Sequence, residues 1–213
     1  MKIHAYDEIY LDSSQNILGH MFDFAVNECN IAAEEMAKMF AVSPISEQFA
    51  IGNPAYIAGV TGPELARKVL QSAGYNRELP EDVMYEDKSP QYWAGWALAY
   101  YQWSTSYSFM YILKAVPFSH ILKMYGIYHE MDILKFTDAM DELINSYYKD
   151  APLKRFRLLS GMTQSELAEI SEVPLRQIQL FEQRKRDITK TQASTLYKLS
   201  KALRCSMESL LQP

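Results

Sequence analysis

Residues 161–190, GMTQSELAEISEVPLRQIQLFEQRKRDITK, carry the signals that decide the fold of the C-terminal part of the chain. Thr163 and Glu166 have the spacing of a capping box, in which a hydroxyl and a carboxylate each accept a bond from the other residue's backbone amide. A tight turn follows, and Pro174, a residue suited to the first turn of a helix, introduces a further helix at 175–183. The spacing therefore predicts two short helices joined by a tight turn.

The helix predicted at 175–183 has one apolar face and one polar face. Ile178 and Phe181, three residues apart, would hold it against a core. Leu175 and Leu180 lie at the margins between the faces, where burial in the core and exposure to a ligand are equally compatible with the sequence. The polar face carries Arg176, Gln179 and Gln183.

Further short helices are predicted on both sides of this pair. One spans 153–160, with Asp150 as its cap and Pro152 in its first turn. The helix that begins after Thr163 has apolar positions expected to face inward, at Leu167, Ala168 and Ile170. A fourth helix is centred on Leu196, Leu199 and Leu203, and a final turn spans 206–211.

Charge is distributed unevenly along the chain. The whole chain of 213 residues has 21 Lys and Arg against 26 Asp and Glu, a formal net charge of −5. Residues 151–213 hold 11 of the basic and 6 of the acidic residues, a charge of +5, which leaves −10 for residues 1–150. A small basic module joined to an acidic body is typical of a DNA-reading domain with a separate sensing or partner-binding domain.

The C-terminal part resembles the Cro/C1-type helix-turn-helix, or XRE, family. The residues that carry the resemblance are GMTQSELA at 161–168, Ile178, Phe181-Glu182, LSKAL at 199–203 and Leu210-Leu211, in roughly the last 60 residues. The resemblance implies a C-terminal five-helix lambda-repressor-like DNA-binding domain, residues 151–213. Helical spacing of apolar residues in the rest of the chain predicts an N-terminal helical domain, residues 1–150, and hence an all-α protein, with the border placed where the charge changes sign.

The resemblance implies roles for individual residues as well. The helix at 175–183 would be the recognition helix that enters the major groove of double-stranded DNA. Base contacts would come from Leu175, Arg176, Gln179 and Leu180. Phosphate contacts would come from Thr163 and Gln164 at a helix N-terminus, and from the loop residues Arg184, Lys185, Arg186 and Lys190.

Arg157 and Glu182 match a family ion pair that ties the first helix of the domain to the end of the third, a structural role. Three positions depart from the family pattern. Glu172 stands where the turn often has Gly, Pro174 where Ser or Thr often caps the helix, and Arg184 where Gly often ends it. An acid is tolerable in a turn that faces solvent, and proline suits a helix start, so the fold is expected to persist.

Helical spacing of apolar residues predominates in residues 1–150. The first helix is predicted to begin near Asp12, Ser13 and Ser14, and others are predicted at 31–40, 63–70, 90–107, 117–125 and 131–148. Residues 52–63 are interpreted as a loop and residues 74–90 as a long surface connection.

The three tryptophans of the chain lie close together. Trp93, Trp96, Tyr100, Trp103 and Tyr107 follow one another at intervals of 3, 4, 3 and 4 residues, which places them on one face of a helix. The first interpretation of this stripe is the core of the domain. The alternative is a ligand cavity or partner surface formed by Trp93, Trp96, Tyr100 and Trp103. Because Tyr92 and Tyr101 lie off the stripe, the helix is expected to be covered on more than one side.

No motif for catalysis is visible. The sequence lacks HExxH, a Gly-rich phosphate loop and a nucleophile elbow, and its four histidines are dispersed. Cys29 and Cys205 match no metal-ligand spacing and are expected to be reduced. No segment has the roughly 18 apolar residues of a membrane helix, and residues 1–10 lack the features of a secretory signal. These observations predict a cytoplasmic protein that is not an enzyme and holds no cofactor or metal.

The sequence therefore predicts a sequence-specific transcriptional regulator, a repressor that acts as a homodimer on double-stranded DNA, the dimer being implied by the resemblance. The alternative is an antitoxin-like protein whose N-terminal domain binds a partner protein, with DNA binding serving autoregulation. The N-terminal half diffusely resembles the helical domain of such regulators.

Overall fold

The computed structural model describes residues 4–75, 78–81, 88–148 and 150–211, which form helices and connecting segments without a β-strand. The chain divides into two compact units, Met1–Ile144 and Asn145–Pro213. The sequence placed the border after residue 150. Lys149 and parts of the connection predicted at 74–90 lie outside the described residues. Within the described ranges, every helix is too short or too polar to cross a membrane.

The N-terminal part contains a series of helices that begins with a 3-10 turn, Glu8–Tyr10. The helices are α1 (Leu11–Asp23), α2 (Ala33–Val42), α3 (Pro44–Ala50), α4 (Pro54–Ile57), α5 (Gly62–Ser72), α6 (Pro90–Thr105), α7 (Phe109–Ala115), α8 (Phe118–Tyr128) and α9 (Ile133–Tyr147). A π-helical turn, Phe24–Glu28, follows α1.

The first helix begins at Leu11, close to the start predicted near Asp12, Ser13 and Ser14. These three residues lie inside α1 and do not cap it, and the Ser14 hydroxyl donates to the Leu11 carbonyl at 2.8 Å. A serine within a helix can satisfy its hydroxyl in this way, so a cluster of capping residues does not by itself mark a helix end. The cap of the preceding 3-10 turn is Asp7, whose carboxylate accepts a bond from the Ile9 amide at 3.0 Å.

The short helices α3, α4 and α7 were missed, and α4 lies within residues 52–63, interpreted as a loop. Helices of four to seven residues are too short to show a clear apolar period. Their signals are local: Ser43 caps α3 and Asn53 caps α4, each followed directly by a proline.

Helices α1 and α6 pack backbone against backbone through two glycines. A Cβ atom added to Gly95 would lie 2.6 Å from the Leu18 carbonyl oxygen and 3.0 Å from the Gly19 Cα. A Cβ atom added to Gly19 would lie 2.8–2.9 Å from the side chain and carbonyl of Tyr92. Small residues therefore set the distance between the two central helices of this unit.

The tryptophan stripe is not the main core face of α6. Trp93, Trp96 and Tyr100 are half-buried, and Trp103 is buried, with its indole N–H donating to the Tyr6 carbonyl at 2.9 Å. The face of α6 toward α1 carries Gly95 and the ring of Tyr92, which packs against Gly19. Tyr92 and Tyr101 are buried, as expected for a helix covered on more than one side.

The C-terminal unit contains α10 (Pro152–Leu159), α11 (Gln164–Ser171), α12 (Leu175–Glu182), α13 (Ala193–Leu203) and α14 (Met207–Leu211). A 3-10 turn, Ile188–Lys190, precedes α13. One buried apolar cluster joins all five helices, and it consists of Leu153, Leu167, Val173, Ile178, Phe181, Leu196, Leu199, Leu203 and Leu210.

Two predictions within this unit were wrong. Asp150 does not cap α10; the capping position is Ala151, and the Asp150 carboxylate instead accepts a bond from Lys154 Nζ at 2.7 Å. Ile170 does not face inward, because its side chain is 57% exposed, whereas Leu167 and Ser171 one turn apart are buried. The buried stripe of so short a helix is narrow, and Ile170 falls beside it.

Gly95→Ala should destabilise the N-terminal unit by about 1–3 kcal/mol, because the added methyl group meets backbone atoms that cannot move independently. The matched control is Gly126→Ala in α8, where an added Cβ would meet nothing within 4 Å. The control should stabilise the unit by roughly 0.5–1 kcal/mol through helix propensity alone. Urea unfolding followed by tryptophan fluorescence measures both, and equal effects would contradict the close packing of α1 and α6.

Candidate nucleic-acid interface

Helix α12 is held to the domain by one face and leaves the other accessible. Ile178 and Phe181 are buried at 0% and 3% exposure, as the spacing predicted. On the outer face Arg176 is exposed, while Gln179 and Leu180 are partly exposed. Leu175 is 38% exposed, and neither leucine belongs to the buried cluster. One arginine, one glutamine and two leucines thus share one accessible surface.

The C-terminal end of α12 is anchored by an ion pair with α10. Arg157 Nε and Nη2 donate to the two carboxylate oxygens of Glu182, at 2.7 and 3.0 Å. The same guanidinium donates through Nη1 to the Met162 carbonyl at 2.7 Å. The Glu182 hydrogen bond raises the pKa of Arg157, which favours the charged guanidinium. Because both groups are buried, this bidentate geometry fixes the orientation of three chain segments at once.

The N-terminus of α11 carries the capping box expected from the sequence. The Glu166 amide donates to Thr163 Oγ1 at 3.2 Å, and the Thr163 amide donates to Glu166 Oε2 at 2.7 Å. The bond from the Thr163 amide, together with one that the Thr163 hydroxyl donates to Glu166 Oε2 at 2.8 Å, lowers the pKa of Glu166. These bonds also occupy the amide and hydroxyl of Thr163, so the accessible donors of this helix start are the first-turn amides of Gln164 and Ser165.

The Gln164 side chain points back toward the end of α12. Its Nε2 donates to Glu182 Oε2 at 2.7 Å, so Glu182 accepts bonds from both α10 and α11. This bond places the N-terminus of α11 beside the end of α12. It also commits one donor of the Gln164 side-chain amide to a contact within the domain.

The basic segment after α12 turns back over the end of that helix. Arg184 has a left-handed backbone conformation, with φ of 53°, and the amides of Lys185 and Arg186 both donate to the Leu180 carbonyl, at 2.9 and 3.2 Å. The Arg184 guanidinium donates to the Tyr148 carbonyl at 3.0 Å. The family that this unit resembles often has glycine at this position, and the left-handed backbone of Arg184 is the conformation that glycine adopts most easily at a helix end.

Most acidic side chains of this unit are engaged by their own neighbours. Glu182 bonds Arg157, Glu172 accepts from Lys198 at 2.7 Å, and Asp187 lies 3.7 Å from Lys190. Glu172 also has φ of 52° and is exposed, so this acid in the turn faces solvent as expected. Among the described residues, Arg176, Lys185 and Arg186 take part in no ion pair with an acid. Their charges are therefore not neutralised by an acid of the described part of the domain.

Of the predicted DNA-contacting residues, some lie on α12 or beside it, and Lys190 lies further away. Leu175, Arg176, Gln179 and Leu180 lie together on α12, and the bonds of Glu182 bring the start of α11 next to that helix. Lys190 lies further on, in the 3-10 turn, with a side chain that is 84% exposed. Within the part of the chain that the structure describes, no three His, Cys, Asp or Glu side chains form a cluster able to hold a metal.

In the N-terminal unit the predicted surface of aromatic rings is brought together only in part. Trp93 and Trp96 line a cleft with residues of α1, α8 and the start of α9, whereas Tyr100 and Trp103 do not. Trp103 is instead stacked on His4, with ring centroids 3.8 Å apart. Apart from the two tryptophans, no sequence signal predicts this cleft, because its walls come from segments that are distant in the chain.

The comparisons with known proteins agree with the geometry of the C-terminal unit. Residues 153–210 match the family model described as Helix-turn-helix. No curated protein and no solved structure matches the chain. This part of the chain is a helix-turn-helix domain of the Cro/C1 type, a DNA-binding family.

Glu182→Gln should lower the free energy of unfolding of the C-terminal unit by about 3 kcal/mol, because it leaves the buried Arg157 charge without its partner. The matched control is Glu172→Gln, which breaks an exposed pair with Lys198 and should change stability little. All three tryptophans lie at 93, 96 and 103, so far-ultraviolet circular dichroism can reveal unfolding of the C-terminal unit that tryptophan fluorescence does not follow. Equal losses in both variants would contradict the structural role of the pair.

Proposed function

We propose that the helix-turn-helix domain, residues 151–213, places α12 in the major groove of double-stranded DNA and that the protein is a sequence-specific transcriptional regulator. The observation that carries the proposal is the division of α12 into a buried face and an accessible face. A rigidly docked helix with polar side chains on its outer face suits the major groove, which admits one α-helix.

Base recognition is assigned to the outer face of α12. Arg176 can donate two bonds to O6 and N7 of a guanine, and Gln179 can pair with the N6 and N7 edge of an adenine. Leu175 and Leu180 can pack against thymine methyl groups. The exposure of Leu175 and the absence of both leucines from the buried cluster support this role.

Phosphate contacts are assigned to the N-terminus of α11 and to the basic residues that follow α12. Thr163 and Gln164 present the N-terminus of α11, whose first-turn amides favour an anion. Arg184, Lys185, Arg186 and Lys190 supply positive charge on the other side. Lys185 and Arg186 are the stronger candidates, since Arg184 already donates to the Tyr148 carbonyl and Lys190 lies near Asp187.

The proposal includes a homodimer and a repressor. One recognition helix of eight residues can contact only a few base pairs, so two copies on paired half-sites are needed for useful specificity. A dimer bound across a promoter hinders polymerase by occupancy alone. The acidic N-terminal part, residues 1–150 with a charge of −10, would then serve as the sensing or partner-binding domain. The antitoxin-like role stays a prediction.

Arg176→Ala should weaken binding to the preferred site by about 1–3 kcal/mol and relax discrimination at one base pair. Lys185→Ala should instead weaken binding to all DNA sequences by the same factor. The preferred site is first selected from random duplex DNA with the full chain. Lys201→Ala on α13 is a charge-matched control and should bind as the unaltered protein does. Uniform losses from both Arg176→Ala and Lys185→Ala would refute the assignment of base reading to Arg176.

Binding should also fall steeply with salt, because each neutralised phosphate contributes about −0.9 to the slope of log K against log salt concentration. Lys185→Ala should make this slope shallower by about one unit, and Lys201→Ala should leave it unchanged. Fluorescence anisotropy with labelled duplex at several salt concentrations measures both slopes. A slope near zero for the unaltered protein would indicate a domain that does not bind DNA through its basic residues.

A further inference from the structure

The N-terminal unit contains a cleft of about 660 Å³, a volume in the range of small-molecule sites. Its aromatic wall is formed by Trp93 and Trp96 of α6 and by Tyr125 and Tyr128 of α8. All four rings are half-buried, so each is held by the fold while part of it remains open to the cleft. Aromatic rings on adjacent helices give this cleft several π faces.

The ring of Trp93 is fixed by its neighbours. Trp93 meets Tyr125 nearly edge to face, with ring centroids 5.7 Å apart and an angle of 73°. On another side Trp93 packs against the buried Phe136, at 5.5 Å and 75°. A ring held between two others loses little freedom when a ligand arrives, which favours binding.

Two carboxylates lie at the same cleft, from Asp12 of α1 and Asp132 before α9. Asp12 Oδ2 accepts a bond from Asn16 Nδ2 at 3.1 Å, and Asp132 Oδ1 accepts from the Leu134 amide at 2.9 Å. These bonds orient both side chains without neutralising their charge. The cleft therefore combines aromatic faces with negative charge.

The chain itself places a cation against a ring of this cleft. Lys88 Nζ lies 4.8 Å from the centroid of the Tyr92 ring, and both residues line the cleft. Together with Lys88, the two carboxylates leave an excess of one negative charge, and the unit as a whole is acidic. Ring faces and carboxylates are the two groups that recognise organic ammonium ions in proteins.

We propose that this cleft binds a small organic cation with an apolar body, such as an aryl quaternary ammonium ion. The cationic head would lie against the faces of Trp93 and Trp96, near the carboxylates of Asp12 and Asp132. The apolar body would fill the remainder of the cleft.

The test compares two probes of nearly equal shape on the full chain by isothermal titration calorimetry. One is meta-hydroxyphenyl-trimethylammonium, and the other is meta-tert-butylphenol, in which carbon replaces the charged nitrogen. The cation should bind about 3- to 30-fold more tightly, the range expected for a cation on partly desolvated rings. Equal affinities, or no binding of either probe at millimolar concentration, would overturn the proposal.

Variants of the carboxylates locate the site. Asp132→Asn keeps an oxygen that accepts the Leu134 amide bond but removes the charge, and Asp12→Asn does the same toward Asn16. Each variant should lower the affinity for the cation by about threefold and leave the affinity for the neutral probe unchanged. Asp138→Asn on α9, an exposed acid outside the cleft, is the matched control and should change neither. An equal loss in Asp138→Asn would show that only the general charge of the unit attracts the cation.

A variant of the aromatic wall tests the ring faces. Trp96→Leu retains an apolar side chain but removes the π face, so the ratio of cation to neutral affinity should fall. A ratio that stays unchanged in folded Trp96→Leu would count against binding at these rings. Should this variant fail to fold, as circular dichroism would report, the two Asp→Asn variants decide the question.

Discussion

The arrangement of the C-terminal unit depends on the buried ion pair between Arg157 and Glu182. Its bidentate contact joins α10 to the end of α12, while further bonds from Arg157 to the Met162 carbonyl and from Gln164 to Glu182 bring in the start of α11. A buried pair of charges gains stability only when its remaining hydrogen-bonding groups are also satisfied. Here these groups come from Met162 in the connection between α10 and α11 and from Gln164, the first residue of α11, so the ion pair orients the helix-turn-helix as one body.

The charged residues of this unit differ in role: several acids are held in ion pairs, whereas some cations have no acidic partner among the described residues. Glu182, Glu172 and Asp187 are engaged by Arg157, Lys198 and Lys190, respectively. Since these acids are held by their own partners, the surface that carries α12 and the segment after it presents mainly the cations Arg176, Lys185 and Arg186. The positive face is thus a result of how charges pair within the domain as well as of its composition.

In the N-terminal unit the controlling constraint is steric. Gly95 and Gly19 allow α1 and α6 to approach closely, and the Tyr92 ring of α6 packs directly against Gly19. Trp93 and Trp96 are half-buried and line the cleft together with residues of α1, α8 and the start of α9. Helix α6 thus forms both the close contact with α1 and part of the aromatic cleft.

The sequence by itself determined the all-helical class, the helix-turn-helix at 161–183, and the docking of α12 by Ile178 and Phe181, because caps, turns and apolar spacing are local properties. It also indicated the residues that α12 presents outward. Only the tertiary structure decided that Gln164 and Arg184 are engaged within the domain, that Ile170 is exposed, and that Trp93 and Trp96 line a cleft with Asp12 and Asp132. These outcomes depend on contacts between segments that are distant in the chain, and no local spacing specifies which side chains meet there.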